Sequence, residues 1–339
     1  MKILLVKTSS LGDLIHTFPA ITDAAKALQK LELDWVVEEG FHEVPHWHPE
    51  VDSVIPVSIR RWRQQPVTSV RNGEIEDFLE ELKAKQYDMV LDAQGLIKSA
   101  LVTRAARGYR VGYNWHSARE KIASWAYQQK IAVDKTQHAV QRSRQLFAQA
   151  LNYTQPKSPP DYGLQKRTLD IPNQVKPVVF LHGTTWETKL WPFEYWRELA
   201  ERLDEAGQPV TLPWGTQEEY QRAEMIGQSL ERIQTLPAMG LSEMAAHLAS
   251  AKAVVAVDTG LAHIAAAFSV PTVSVYGATD AKRTGTLGVH QIHLQSERAC
   301  SPCLSRHCHQ ATDSGVQPPC FQQITPEQIL QGLLELGVE

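Results

Sequence analysis

The chain has 339 residues, enough for two ordinary hydrophobic cores rather than one. Its composition, 43% hydrophobic and 21% charged with a net charge of -4, is that of a globular protein and lacks the basic excess of a dedicated nucleic-acid binder. The most apolar region, 253–276, is broken by Asp258, His263 and Pro271, short of the roughly 18 uninterrupted apolar residues of a membrane span.

In chain order, residues 3–6 predict a first strand, 8–12 a turn and 13–28 a helix. The four apolar residues between Lys2 and Lys7 are too few for a secretory signal, so the expected location is cytoplasmic, with at most a peripheral membrane association. Residues 35–37, 54–57 and 89–91 predict further strands, and 74–85 a helix between two of them. At 152–174 the rhythm pauses in a proline-rich polar stretch that reads as a linker. It restarts with strands at 178–181, 210–212, 254–257 and 272–276 and a helix at 193–206, and closes with a helix at 325–336 opened by Thr325-Pro326. The fold class expected is α/β, two doubly wound parallel-sheet domains facing a cleft. The boundaries are 1–155, a linker at 156–175, 176–322, and a closing helical segment at 323–339.

The dinucleotide fingerprint G-x-G-x-x-G is absent after every predicted strand, and there is no P-loop sequence, so NAD chemistry and P-loop phosphotransfer are disfavoured. A different phosphate site is visible. The run Ala253 to Val257 ends in Asp258-Thr259-Gly260-Leu261 and passes into a helical pattern. Such a turn aims free backbone N–H groups and a positive dipole end at a ligand. Asp258 and Thr259 are placed to cap the helix, Gly260 lets a phosphate approach, and His263 stands one turn in; an ordinary capped βα turn has the same sequence. After residues 178–181 come His182-Gly183-Thr184-Thr185 and then Lys189, hydroxyls and a mobile cation suited to a diphosphate. Glu219 follows the next strand, where a carboxylate can accept from a ribose. Three such loops together point to a nucleotide-sugar site.

KILLVKTSSLGDLIHTFPA at 2–20, DWVVEEGF at 34–41, VIPVSIRRWR at 54–63 and DAQGLIKSALVTR at 92–104 resemble the lipopolysaccharide heptosyltransferase I family. FLHGTTWETKLWP, LPWG and VDTGLAHIAAA continue the match through the second half. The resemblance implies a GT-B fold. It also implies inverting, metal-independent transfer of L-glycero-D-manno-heptose from ADP-heptose to Kdo of Kdo-lipid A, at the cytoplasmic face of the inner membrane and without a cofactor. It favours Asp13 as general base, although by itself Asp13 is an ordinary first-turn aspartate. Ser10 and Gly12 then form the loop where donor and acceptor meet, and Lys189 with the backbone of Thr259 to Leu261 stabilises the departing ADP. Arg60, Arg61 and Arg63 around Trp62 suit the carboxylates of Kdo and lipid phosphates, and Lys98, Arg119 and His138 match the acceptor side. An Arg-Arg-x-Arg segment is equally an ordinary solvated loop.

Cys300, Cys303, Cys308 and Cys320 cluster near His307 and His309, a set compatible with structural zinc, an iron–sulfur cluster or four free thiols. A nucleotide-sugar 2-epimerase, a non-catalytic sugar-nucleotide binding module and a transferase adding the second heptose remain as rival readings.

Overall fold

The computed structural model describes residues 1–164, 176–310 and 315–338, which fall into two compact units, 1–164 and the described part of 165–339. In the first unit β1 (Lys2–Val6), β2 (Glu32–Glu38), β3 (Ser53–Val57), β4 (Gln86–Asp92), β5 (Arg107–Tyr113) and β6 (Gln129–Ile131) form one parallel sheet, in the order β3-β2-β1-β4-β5-β6. Its helices are α1 (Leu11–Ile15), α2 (Phe18–Ala27), α3 (Ile59–Gln64), α4 (Pro66–Arg71), α5 (Glu74–Ala84), α6 (Ile97–Ala105) and α7 (Ala139–Leu151).

The second unit repeats the plan. Its strands are β7 (Val178–Leu181), β8 (Val210–Leu212), β9 (Ile233–Thr235), β10 (Ala253–Val257), β11 (Thr272–Tyr276) and β12 (Gln291–Gln295). They pair in parallel in the order β12-β11-β10-β7-β8-β9, which is the first order read from the other edge. Its helices are α8 (Phe193–Glu205), α9 (Gln217–Gly227), α10 (Leu241–Ser250), α11 (Gly260–Ala267), α12 (Ala281–Thr284) and α13 (Pro326–Glu335). In each sheet the order reverses beside the first strand, between β1 and β4 and between β7 and β10. Doubly wound sheets bind ligands at that reversal, beyond the carboxyl ends of the strands.

The central strands are apolar along their whole length because both faces are covered: all five residues of β10 are buried, as are all four of β7. Trp191, Trp196, Phe180 and Phe321 fill one face of the second sheet, and Leu4, Val6, Phe78 and Leu82 fill a face of the first. The helix expected at 13–28 is two helices, parted at His16 and Thr17. Pro19, which has no N–H to give, is tolerated in the first turn of α2 and not in the middle of a continuous helix. The break keeps α1 short and holds Asp13 at the mouth of β1.

The segment expected to begin the linker lies on the first unit as far as Leu164. Asn152 ends α7 in the left-handed region, and the fully buried Arg144 of α7 then donates to the carbonyls of Pro156 (3.2 Å) and Ser158 (3.1 Å) while pairing with Asp23 at 2.6 Å. The remaining linker residues, 165–175, lie outside the described residues, as do 311–314 of the second domain and the terminal Glu339. Among the described residues no helix is long and apolar enough to cross a membrane.

Candidate active site

At the reversal of the first sheet, β1 runs into Lys7, Thr8, Ser9 and Ser10 before α1 begins. Asp13 is held there by two donors and a nearby cation. Arg119 bonds one carboxylate oxygen at 2.8 Å, the Ser10 N–H bonds the other at 3.2 Å, and Lys7 Nζ stands 4.0 Å away. Burial pushes the Asp13 pKa up, but Lys7, Arg119 and the Ser10 N–H together outweigh it and hold the carboxyl below its ordinary value. Lys7 itself is 6% exposed and donates to the Ala93 carbonyl at 3.0 Å. Burial lowers its pKa to about 8 against the opposing pull of Asp13. His16, Gln94, Tyr113 and Arg142 complete the small cavity around this pair.

The loop after β4 locks the loop after β1. Gln94 accepts from the Thr8 N–H (2.7 Å) and hydroxyl (2.8 Å) and donates to the Ser9 carbonyl at 3.0 Å. Asp92, fully buried, accepts from Tyr127 (2.7 Å) and from the Gln94 and Gly95 N–H groups, which fixes the turn. Lys98, on the first turn of α6, donates to the Ser9 hydroxyl at 2.9 Å. Its pKa is lowered by burial, and Arg60 and Arg63 add to the lowering while Glu38 opposes it.

The arginines of α3 are not equivalent. Arg61 is exposed but held by Glu39 and Glu74, each at 2.9 Å, and Trp62 turns inward to Glu74 and Phe78. Arg60 is exposed, its N–H bonded to Glu38 at 2.8 Å and its guanidinium over the Phe41 ring; Arg63 is also exposed. His138 is the N-cap of α7, accepting from the Val140 N–H at 3.2 Å, with its ring edge-on to His16.

In the second unit Lys189 bonds Asp258 at 2.7 Å and lies over the Trp186 ring, and Thr279 donates to the same Asp258 oxygen at 2.7 Å. Thr184 donates to the Asp258 backbone carbonyl at 3.1 Å, joining the loop after β7 to the loop after β10. The expected capping of α11 takes another form: Asp258 is engaged with Lys189 and Thr279, and Thr259 is N-cap by its backbone with no side-chain hydrogen bond. The start of α11, with half-buried Gly260 and Leu261, thus has no side-chain cap hydrogen bond from Thr259. His263 is buried one turn on, and Thr185 is exposed. Glu219 accepts from the Gly215 N–H at 2.7 Å and lies so close to Gly183 that a Cβ there would stand 2.1 Å from its carboxylate. A side chain at 183 would therefore displace the Glu219 carboxylate from this position.

The cysteine segment leans on this site. Thr188 donates to the Ser305 carbonyl at 2.6 Å, Leu304 N–H to Ala278 at 2.8 Å, and Ser301 to Gly277 at 2.7 Å. Cys300 and Cys303 are exposed and Cys308 and Cys320 half-buried; burial, then the other three thiols, push the Cys320 thiol up to about 11. Among the described residues no three His, Cys, Asp or Glu side chains are arranged to hold a metal.

Two Rossmann-type units in one chain, each with charged and hydroxyl groups gathered at its strand-order reversal, define a glycosyltransferase of the GT-B class. The model of glycosyltransferase family 9 (heptosyltransferase) matches residues 75–312, and the chain belongs to that family. It is similar to lipopolysaccharide heptosyltransferase 1 of Pseudomonas aeruginosa, 51% identical over 97% of this chain and 96% of that one. Among solved structures it is similar to the E. coli heptosyltransferase WaaC with ADP, at 41% identity and a TM-score of 0.89 over 99% of this chain and 100% of that one. The same enzyme with ADP-2-deoxy-2-fluoro heptose gives a TM-score of 0.86 at 41% identity, covering 99% of each chain.

Proposed function

We propose that the chain transfers L-glycero-D-manno-heptose from ADP-heptose to Kdo of Kdo-lipid A, with inversion and without a catalytic metal, at the inner membrane surface. The observation that carries the reading is Asp13, a carboxylate kept ionised between Lys7, Arg119 and the Ser10 N–H. Such a group accepts the proton of the attacking hydroxyl as the bond from the sugar to the diphosphate breaks, and its weak basicity suffices when the hydroxyl acidifies late. In the second unit Lys189, Thr184 and the start of α11 supply the cation, hydroxyl and N–H groups that charge on a departing diphosphate needs. Glu219, at the start of α9, is the ribose acceptor in this reading. Likeness to a solved heptosyltransferase holding an ADP-heptose analogue supports that donor.

Arg60, Arg63, Lys98 and Arg119 are the acceptor-side cations in this reading, with Arg61 shaping the loop through Glu39 and Glu74. The first unit therefore takes the acceptor and the second the donor. The test is ADP release from ADP-heptose with and without Kdo-lipid A, in EDTA, for the native chain and Asp13→Ala. Acceptor-dependent release that falls by roughly 100-fold or more in Asp13→Ala, with ADP affinity unchanged, is expected. Native-like turnover in Asp13→Ala sinks the base assignment. Absence of release from the native chain sinks the substrate pair.

A further inference from the structure

An apolar surface on the first unit has no part in the site just described. Helix α6 packs against the short helical turn at Lys121–Ala126 through Ala100, Ala123 and Tyr127. Outside that seam Leu101 (63% exposed), Ile122 (52%), Trp125 (68%) and Ile97 face water. Ile97 and Leu101 are four apart and so share one helix face. The Ile97 N–H is bonded by Glu120, which brings that face beside the turn carrying Ile122 and Trp125. Trp115 stacks on Trp125 with ring centroids 5.8 Å apart, two exposed indoles reinforcing each other. A contiguous patch of this kind marks an interaction surface.

Its charge names the partner. Residues 97–135 hold eight lysines and arginines and two carboxylates, whereas the whole chain holds 34 and 38. Arg104 follows Leu101 by one helical turn, Lys121 precedes Ile122, and both are exposed. Lys98 in turn lies within electrostatic range of Arg60 and Arg63. A second copy of the chain is a poor occupant, because a two-fold contact would set this basic rim against itself.

We infer that this surface, with Trp115, Trp125, Ile122, Leu101 and Ile97 at its centre and Arg104 and Lys121 on its rim, docks the enzyme on an anionic phospholipid bilayer. Tryptophans settle at the headgroup level, aliphatic side chains enter the acyl boundary, and basic residues meet the anionic headgroups. The inference rests on the reading above that the acceptor is a membrane lipid. The docking residues adjoin the acceptor-side cations without being among them.

The test is co-sedimentation of the full chain with vesicles of phosphatidylcholine, alone or with about a third phosphatidylglycerol, at rising salt. The native chain is expected to bind the anionic vesicles and release them in salt. Ile122→Gln with Trp125→Gln should lower partitioning at least tenfold, and Arg104→Gln and Lys121→Gln about fivefold each. All four substitutions are at exposed positions, and each variant should keep native turnover on a deacylated, water-soluble Kdo acceptor. That turnover separates the two ideas: its absence in the native chain defeats the substrate assignment, while vesicle binding reports on the patch alone. Equal binding by native and variant chains overturns the inference. So does equal binding to neutral and anionic vesicles, or a native dimer that Trp125→Gln converts to monomer.

Discussion

Lys7→Met is the sharpest test of how the first site is tuned. Lys7 stands 4.0 Å from the Asp13 carboxylate in a buried setting, where two unit charges interact by about 4 kcal/mol at an effective dielectric near 20. Removing it leaves Arg119 and the Ser10 N–H to hold the charge on Asp13, against a burial effect that favours the protonated acid. The acid limb of the kcat–pH profile, followed by ADP release, should therefore move to higher pH. Stability should change in step. The Lys7 pKa falls from 10.5 in a free chain to about 8 in the fold, so between these values the unfolded chain binds more protons. The native protein should accordingly gain about 3 kcal/mol as pH rises from 8 towards 10.5, and Lys7→Met should lose that rise. Denaturant melts across this range measure it. An acid limb that stays in place while the variant remains folded would refute the assignment of Asp13 as the titrating base, and an unchanged alkaline gain in stability would refute Lys7 as the source of that gain.

Two further substitutions probe other parts of the structure. Gly183→Ala drives a Cβ into the Glu219 carboxylate, so ADP affinity by calorimetry should fall about tenfold, and the same change in a Glu219→Ala background should have little effect. Arg144→Leu strands the buried Asp23 and frees two carbonyls of the proline-rich segment. It should cost about 3 to 5 kcal/mol in a thermal melt, most of it recovered by Asp23→Leu in the same chain.

The central strands were legible because parallel strands covered on both faces are written as unbroken apolar runs, as in β7 and β10. The outer strand β3 was legible too, but β6, β9 and β12 were not, and neither was β5, whose apolar run is broken by Arg107 and Arg110. β6 reads Gln-Lys-Ile, β9 Ile-Gln-Thr and β12 Gln-Ile-His-Leu-Gln, where half the surface faces water and the apolar signal thins out. The break between α1 and α2 had a visible cause in Pro19, overlooked beside a strong helical pattern. Asp13, Lys189 and Asp258 follow strands that end at a reversal of sheet order; residue type and position marked Lys189 and Asp258, and the family resemblance was needed for Asp13. Their partnerships were hidden: Arg119 reaches Asp13 from 106 residues away, and nothing local marks Arg142 as a neighbour. Gln94 lay in a quoted motif, directly after β4, and its place at the reversal was a usable signal. The ion pairs of Arg61 in the Arg-Arg-Trp-Arg segment were hidden as well, because its carboxylate partners Glu39 and Glu74 come from two other elements.

The shared strand order has a consequence for vectorial synthesis. The first strand made, β1, ends up in the middle of its sheet, with β2 on one side and β4 on the other. Its second neighbour pairs Met89 with Ile3, so one side of β1 stays open until more than a quarter of the chain has left the ribosome. The same wait recurs for β7, whose inner partner β10 arrives some 75 residues later. Twice in each round of translation, then, an apolar strand is released before its second partner exists, and those two intervals are when this polypeptide most needs protection from aggregation.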